Sequence, residues 1–440
     1  MAILVKLRTA IHFLLVHRFI AALAVFLLSF SIRWGMLAHV GHIERRGAAE
    51  VDNIALALLH KHQFADPYAV PTGPTAHTTP FYPVLVAGVY GIFGAGYAGY
   101  MARALLVIGA YSLLYALYVW LAPAFGFPES AGLIAGFFSA LLPVKRSAEV
   151  FLGWEEPYAA MALAAILLLT LKHWRAPARK VSLALVIGAC WGIAFYVSFS
   201  LAAVLAGVVL LDVGTRFSSA LIRDNICILL MAAIVVSPWI LRNRVELHGW
   251  TLMRSTFGEN LWYANNDHTH PSAELINADP AARNMHPYNS VNEAMKVKQM
   301  GELPYDRYDL HLALDWIRAH PTKFVNLTVR RFLYFWGGPL EHPYETIVTT
   351  LYTLVGLFGL FLMKRSVGVL QWQLWLVTFL CFPVMYYLVQ YVNRYRTPID
   401  WMVALSAGLV LTKIDGGSRF LLLPSHSEET RTRDSRVTHA

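Results

Sequence analysis

The chain has 440 residues, of which 57% are hydrophobic and only 14% are charged, and its mean hydropathy is +0.49. Soluble domains carry roughly 25% charged residues, so these values exclude an ordinary soluble protein and indicate a polytopic membrane protein. The net charge is +9, but the basic residues lie in short loops between apolar runs. This pattern favours membrane lipids over nucleic acid as a partner.

The first apolar run, residues 19–40, predicts a membrane span. Three cations precede it, namely Lys6, Arg8 and Arg18. By the positive-inside rule they place the N-terminus in the cytoplasm and the loop of residues 41–100 outside. The start of the chain resembles a signal peptide, being basic and then apolar. It lacks a small-residue cleavage site, and its apolar run can cross a bilayer, so we expect a retained anchor.

Two carboxylates, Glu50 and Asp52, follow this span within one helical turn. Acidic side chains at that depth are costly unless they face a wet cavity, so both are candidate catalytic residues. Apolar residues at helical spacing over 51–59 predict a short amphipathic helix. The alternative is that the two acids only complement the positive end of the helix dipole. Both flank the apolar stripe at similar angles, so the sequence does not choose between them.

The segment PTGPTAHTTPFYP, residues 71–83, comes after this helix. Its proline and glycine residues fix turns. Its threonine and histidine side chains offer hydrogen-bonding groups suited to a hydroxyl-rich ligand. We therefore predict that His77, Thr78 and Tyr82 contact a sugar or an acceptor. The alternative is that these residues only form turns.

Residues 81–98 are apolar, but they are short and rich in glycine. Further spans are expected near 101–122, 131–147 and 157–171. If 81–98 also crossed the membrane, the four cations of KHWRAPARK (172–180) would lie outside. The positive-inside rule prefers them in the cytoplasm. We therefore predict a juxtamembrane helix at 81–98.

Residues 181–213 are apolar for about 33 positions, roughly 50 Å as a single helix, which is too long for one untilted span. We predict two short spans that break near residues 196–200. A seventh span at 225–241 leads to a polar segment of about 100 residues, 243–345. This segment is predicted to form an extracytoplasmic subdomain.

The remaining spans are predicted near 346–363, 370–391 and 398–413. The predicted fold class is an all-α polytopic membrane protein with about ten transmembrane helices, juxtamembrane helices in the first outer loop and a small extracytoplasmic subdomain. The predicted division of the chain is an N-terminal transmembrane bundle (1–242), the subdomain (243–345), C-terminal transmembrane helices (346–418) and a disordered cytoplasmic tail (419–440).

Cations at the outer ends of spans form a third group of candidates. They are Lys145 and Arg146, near Glu155 and Glu156, and Arg394 and Arg396 in YVNRYRTP, with Arg103 as a weaker candidate. Outer-end cations run against the positive-inside rule, so they suggest an anionic ligand such as a lipid phosphate. The alternative is snorkelling or pairing with carboxylates.

The histidines of HKH (60–62) and DHTH (267–270) show no set of four ligands at a recognisable metal-binding spacing. We therefore predict no metal site in the chain and no certain cofactor. The sequence does not decide whether the reaction depends on a divalent cation. P-loop, GxGxxG, GxSxG and HExxH motifs do not occur in the sequence. Their absence argues against nucleotide hydrolysis, dinucleotide chemistry and hydrolysis of the serine or zinc type.

A series of short motifs in a fixed order resembles a known family. These motifs are E-x-x-x-I-A (Glu50 to Ala55), TGPTAHTTPFYPVLVAGVYGIFG, PWILRN (238–243), GENLWYANND (258–267), YDLHLALDWIRAHPTKF (308–324) and NRYRTP. Their order and membrane placement resemble the GT-C superfamily of membrane glycosyltransferases. Within it, the chain is similar to the group of protein O-mannosyltransferases and lipid A aminoarabinose transferases.

The resemblance implies an inverting transferase that moves a monosaccharide from a polyprenyl-phosphate carrier to a glycan, lipid or protein acceptor outside the cytoplasmic membrane. The acid of the family's first loop, the expected general base, matches Glu50, with Asp52 in reserve. The outer-end cations would then bind the donor phosphate. A transporter or flippase of lipid-linked saccharides is the alternative, although the sequence shows no paired halves.

Overall fold

A computed structural model describes residues 13–40, 49–141, 150, 154–177 and 180–418. Within these ranges the chain forms 19 α-helices and no β-strand. The predicted all-α polytopic class is confirmed, because many of these helices are long and apolar. Lys145, Arg146 and the tail 419–440 lie outside the described residues.

The first half of the chain forms nine helices. They are α1 (Arg18–Val40), α2 (Ala49–Lys61), α3 (Phe81–Phe93), α4 (Tyr97–Ala124), α5 (Glu129–Leu141), α6 (Glu156–Arg175), α7 (Val181–Val197), α8 (Ala202–Thr215) and α9 (Ser219–Glu246). A 3-10 turn, Phe199–Leu201, separates α7 from α8. Ser198 before it has an extended backbone, which ends α7. The predicted break near 196–200 is therefore confirmed.

The second half forms ten helices. They are α10 (Phe257–Ala264), α11 (Ala273–Ala278), α12 (Pro280–Arg283), α13 (Val291–Met300), α14 (Glu302–Ala319), α15 (Pro321–Gly337), α16 (Pro343–Ser366), α17 (Val369–Cys381), α18 (Val384–Leu388) and α19 (Thr397–Ser418). We call residues 247–342, which hold α10 to α15, the polar subdomain.

Six helical segments are long and apolar enough to cross a membrane: α1, α4, α6, α9, α16 and the run Val369–Leu388 that joins α17 and α18. Shorter apolar helices are α3, α5, α7 and the segment Phe199–Thr215. Helix α3 has 13 residues, about 20 Å at 1.5 Å per residue, less than the roughly 30 Å of a hydrocarbon core. Its length suits the predicted juxtamembrane helix.

The predicted end of that helix at residue 98 was wrong. Helix α3 ends at Phe93, and the next helix begins at Tyr97. Gly94 follows α3 with φ 78°, a left-handed conformation that glycine adopts without strain. The apolar run therefore contains a turn, which hydropathy alone does not reveal.

Small residues bring the membrane helices close together. A Cβ atom on Gly188 of α7 would stand 2.5 Å from the Ile228 carbonyl oxygen of α9, and one on Gly356 of α16 would stand 2.6 Å from Val403 of α19. Glycine at such positions lets helix backbones approach closely in an apolar environment. The result is a tight bundle that holds the connecting loops in place.

Several connecting segments meet at one end of the bundle, which we call the loop face: residues 62–80, 154–156, 389–396 and the polar subdomain. The backbone N–H of Ser255 donates to the Ala76 carbonyl at 3.0 Å. Arg242, at the end of α9, donates to the carbonyl oxygens of Thr75 at 2.6 Å and Phe64 at 2.8 Å. The loop 62–80 is therefore fastened to the polar subdomain and to α9.

Candidate functional site

Asp52 lies on the side of α2 that packs against other helices, and it is fully buried. Its Oδ1 accepts a hydrogen bond from the Tyr90 hydroxyl at 2.6 Å and another from Arg103. Arg103 also donates to the Tyr90 hydroxyl at 3.0 Å. A buried charge needs such partners, and removing one of them is strongly destabilising. Asp52 therefore fastens α2 to α3 and α4.

Tyr82 packs beside this ion pair. It is buried in a small apolar cluster with Val51, Ala55 and Trp154. Trp154 also supports Arg394, whose guanidinium carbon stands 4.2 Å from the centre of the indole ring. The inner side of α2 is thus joined through Trp154 to the segment that carries Arg394.

Glu50 lies on the other side of α2 and is half-buried. Its carboxylate makes no hydrogen bond or ion pair with any residue that the structure describes. Burial raises the pKa of Tyr263, and the charge of Glu50 raises it further. Burial lowers the pKa of His286, and Glu50 opposes that change. Glu50 therefore faces the polar subdomain with its carboxylate unpaired.

Four side chains form what we call the histidine cluster: the buried Tyr68, His77 and Glu259, and the partly buried His286, which lies within electrostatic reach of Glu50. The Tyr68 hydroxyl donates to Glu259 Oε2 at 2.6 Å and stands 3.1 Å from His77 Nδ1. His286 Nε2 lies 3.1 Å from Glu259 Oε1. One carboxylate therefore joins the loop 62–80 to two parts of the polar subdomain.

The protonation of His286 follows from its contacts. Its Nδ1 accepts the backbone N–H of Tyr288 at 3.1 Å, so the proton of the neutral ring lies on Nε2, which is 3.1 Å from Glu259 Oε1. Burial lowers the pKa of both His77 and His286. It also raises the pKa of Glu259, although the Tyr68 hydrogen bond lowers it. The cluster favours neutral imidazoles and positions the loop.

A second group, which we call the acid–arginine cluster, contains Glu155, Glu156, Arg254 and Arg394. Arg394 Nη1 donates to Glu156 Oε1 at 2.7 Å. Burial and the neighbouring charge of Glu156 raise the pKa of Glu155 to about 7, although both arginines lower it. One oxygen of Glu155, Oε2, has no hydrogen-bond partner among the described residues. This cluster can change its net charge near neutral pH.

Arg254 connects the two clusters. Its Nε donates to the His77 carbonyl oxygen at 3.0 Å, and its charge acts on Glu155. Its guanidinium forms no ion pair with a carboxylate in the described part of the chain. An unpaired, half-buried cation between the two groups is suited to an anionic ligand.

Two predicted arginines are occupied by the protein itself. Arg103 holds Asp52, as described above. Arg396 is buried and donates to Asp400 at 2.5 Å, to the Trp336 carbonyl at 3.1 Å and to Thr353 Oγ1 at 2.7 Å. It thereby ties α15, α16 and α19 together. A role for either arginine in phosphate binding stays a prediction, as does a ligand contact for Thr78, which is buried.

Several residues of the site were missed in the sequence: Arg254, Glu259, Tyr263 and His286, with Glu155 considered only as a neighbour of cations. Glu259 and Tyr263 lie in the GENLWYANND motif, which therefore offered a signal. His286 offered no such signal, since its partner Glu259 and its neighbour Glu50 are brought close to it only by the fold.

In the described part of the chain, no group of three or more His, Cys, Asp and Glu side chains is arranged to hold a metal ion.

Neither a protein-family model nor a curated protein matches this chain. Solved structures do match. The oligosaccharyltransferase of Archaeoglobus fulgidus tethered with an acceptor peptide aligns over 91% of this chain with a TM-score of 0.54 and 14% identity. The same enzyme, AglB, in complex with an inhibitory peptide and a dolichol-phosphate, aligns over 91% with a TM-score of 0.52 and 15% identity.

The chain spans about half the length of that oligosaccharyltransferase, since 50% of the archaeal chain is covered. At identities this low the alignments show a shared fold and no more, and the predicted likeness to GT-C glycosyltransferases is confirmed at the level of the fold. The likeness to ArnT from Cupriavidus metallidurans bound to undecaprenyl phosphate is weaker. That structure aligns over 92% of this chain and 79% of its own length, with 13% identity and a TM-score of 0.40.

Proposed function

We propose that this chain is an inverting glycosyltransferase that moves a monosaccharide from a polyprenyl phosphate to a hydroxyl group of a glycan, lipid or protein acceptor. One arrangement carries the proposal: on the loop face, a carboxylate and a cation border the same histidine cluster, and neither forms an ion pair within the described residues. The carboxylate is Glu50, beside His286, and the cation is Arg254, which donates to the His77 carbonyl. The oligosaccharyltransferase of like fold has been solved with a dolichol-phosphate bound, which supports a lipid-phosphate donor.

Glu50 is the proposed general base. A base must present a free oxygen to the proton that it removes. Glu50 is half-buried and forms no described hydrogen bond or ion pair. Asp52 also has one oxygen, Oδ2, without a described hydrogen bond, but it is fully buried and its Oδ1 holds Arg103 and Tyr90. The histidine cluster positions the surrounding loop, because Glu259 bonds the loop residue Tyr68 and contacts His286.

The acid–arginine cluster is the proposed site of the donor phosphate. Arg254 offers unpaired donors, and Arg394 is held over Trp154 by Glu156. Two carboxylates would repel a phosphate, but the pKa of Glu155, raised by burial and Glu156 to about 7, lets it take up a proton. A protonated Glu155 removes one negative charge and adds a hydrogen-bond donor.

The proposed reaction is a single displacement at the anomeric carbon. The acceptor oxygen forms a bond to that carbon while its proton passes to the Glu50 carboxylate. The bond between the anomeric carbon and the phosphate oxygen breaks, and its electron pair leaves with the lipid phosphate. Attack from the side opposite the leaving group inverts the configuration. The protein supplies positioning and positive charge at the leaving group.

We further propose that the loop face is extracytoplasmic and that the protein lies in the cytoplasmic membrane. Lys364 and Arg365 end α16 far from the loop face, and Lys172 and Arg175 end α6 in the same way. The positive-inside rule places these ends in the cytoplasm. Cysteines introduced at exposed Ala69 and Lys172 should react with a membrane-impermeant reagent from opposite sides. Labelling of both from one side contradicts this orientation.

Reconstitution tests the transferase directly. Purified protein in lipid vesicles is given a panel of radiolabelled undecaprenyl-phosphate hexoses and pentoses, together with cell-envelope extract as the acceptor source. The proposal expects one donor to lose its sugar with release of undecaprenyl phosphate and transfer of the label to an acceptor. Movement of intact donor between leaflets without cleavage would instead identify a flippase.

A further inference from the structure

A cavity of about 610 Å³ opens on the loop face beside α2. Its walls come from α2, from residues 66–71 and from residues 283–289, including Asn53, Ala57, Tyr68, Arg283 and Tyr288. These segments belong to the loops and the polar subdomain, and none belongs to a membrane-spanning helix. The cavity therefore suits a water-exposed molecule better than the lipid tail of a donor. Its volume matches that of typical small-ligand sites.

The face of α2 that lines this cavity continues along the helix toward Glu50. Successive helical residues are rotated by about 100°, so Glu50, Asn53, Ala57 and Lys61 lie within a narrow arc of α2. Asn53 and Ala57 line the cavity one and two turns beyond Glu50. A molecule that lies along this face of α2 can present a hydroxyl group to Glu50.

Arg283 supplies charge at the rim. It is exposed, lines the cavity and forms no ion pair with a described carboxylate. The charges of Glu50 and Arg283 both act on Tyr263, the first raising its pKa and the second lowering it, so both residues lie within electrostatic reach of Tyr263. Lys61 and Asp66 also line the cavity, but they form an ion pair at 2.5 Å, so their charges cancel. The lining thus keeps one uncompensated positive charge.

The wall opposite α2 is built rigidly. Asp66 has φ 59° and His62 has φ 55°, conformations that non-glycine residues adopt at a cost. Asp66 Oδ1 accepts the Gly73 N–H at 2.8 Å while its other oxygen holds Lys61. The backbone N–H of Ala69 donates to the Pro287 carbonyl at 3.3 Å. These contacts fix the position of this wall of the cavity.

We infer that this cavity binds the acceptor, and that the acceptor is a hydroxyl-rich molecule bearing an anionic group, a phosphate or a carboxylate. The anionic group lies at Arg283, and a hydroxyl group lies at Glu50. The assignment of the bound molecule as the acceptor rests on the proposed transferase function. The preference for an anionic, hydroxyl-rich molecule does not depend on that function, because it follows from the residues that line the cavity.

The test is binding of three soluble probes to the purified full chain in lipid nanodiscs, with no donor added, followed by ligand-observed NMR. The probes are glucose, glucose 6-phosphate and glucuronate. We expect at least one anionic probe to bind roughly ten-fold more tightly than glucose, as a charged hydrogen bond allows. Arg283→Gln should reduce that preference to about two-fold or less. Arg318→Gln, at an exposed arginine paired with Asp315 in the same subdomain, should leave it unchanged.

A second variant tests the location. Ala69→Trp places a large ring in the cavity from an exposed position, and it should abolish binding of all three probes. The inference is overturned if glucose binds as tightly as both anions, if Arg283→Gln keeps the preference, or if Ala69→Trp leaves binding intact. Any of these results leaves the transferase proposal standing. Conversely, Arg283-dependent binding in a protein that transfers no sugar refutes the transferase and keeps the anion-binding cavity.

Discussion

The two sides of helix α2 carry acids in opposite environments. Asp52 faces the helix bundle, where Arg103 and Tyr90 hold one of its oxygens and solvent is excluded. Glu50 faces the polar subdomain, where it is half-buried and unpaired among the described residues. Two positions along a helix correspond to a rotation of roughly 200°, so neighbouring acids reach opposite sides.

A short helix can therefore contribute one acid to the packing of the bundle and another to the chemistry of the site. A charge buried with its partners ties helices and is unavailable to a substrate. A carboxylate at the edge of a cavity keeps free oxygens for proton transfer. On this view α2 is fixed to the bundle by Asp52, and this attachment holds Glu50 in place.

The largest expected effect is that of Glu50→Gln. The variant keeps the shape of the side chain but cannot take up a proton, so turnover should fall by about 10²- to 10⁴-fold. Thermal unfolding should stay within a degree or two of the parent, since no described contact of Glu50 is lost. Asp315→Asn, at an exposed acid of the polar subdomain, serves as the matched control. Turnover of Glu50→Gln near the parental rate would show that another residue is the general base.

Asp52→Asn should act on stability instead. It removes the carboxylate charge that pairs with the buried guanidinium of Arg103, and breaking a buried ion pair typically costs about 3–5 kcal/mol. The protein should unfold at a clearly lower temperature, while turnover per folded molecule changes only a few-fold. Replacing both partners together, Asp52→Leu with Arg103→Met, should be milder than the single change. A stable but inactive Asp52→Asn protein would reverse the roles of the two acids.

Arg254→Gln tests whether Arg254 binds the phosphate of the donor. Loss of a charged hydrogen bond to a phosphate costs about 1.5–3 kcal/mol, so the donor KM should rise roughly 10- to 100-fold. The acceptor KM should change little, and Arg318→Gln should change neither. Equal increases in both values would indicate that Arg254 only supports the loop, through its bond to His77.

Glu155→Gln should change the pH dependence of stability. Burial and Glu156 raise the pKa of Glu155 from its ordinary value of 4.5 to about 7 in the folded chain. The unfolded state therefore ionises first, and folding loses about 3 kcal/mol of stability as pH rises from 4.5 to 7. The Glu155→Gln variant does not lose this stability, because glutamine does not ionise. The stability of the variant relative to the parent should therefore increase from pH 4.5 to 7 and level off above pH 7. A constant difference between pH 4.5 and 8 would show that Glu155 ionises normally.

The sequence predicted the all-α polytopic class because hydropathy and helical length are local properties. The number of about ten spans stays a prediction, since six described segments are long and apolar enough to cross a membrane. It predicted the break between α7 and α8 from the length of the apolar run, since about 33 residues exceed one span. It misjudged the end of α3, where Gly94 turns the chain inside an apolar run. A turn of this kind leaves no mark in hydropathy.

The site was predicted less completely, because its contacts join distant parts of the chain. The sequence offered Glu50 and Asp52 as equals. Their difference depends on Tyr90 and Arg103, which lie 38 and 51 positions beyond Asp52. In the same way Arg254 became a candidate only when the fold placed it between His77 and Glu155.

Chemical rescue of Glu50→Ala tests the division of roles most directly. The alanine variant leaves space at position 50 where a small carboxylate can replace the missing base. Turnover of reconstituted Glu50→Ala should rise saturably with added formate, and Glu50→Gln, which leaves no such space, should not respond. Turnover of Glu50→Ala near the parental rate without formate would contradict the assignment of Glu50 as the base.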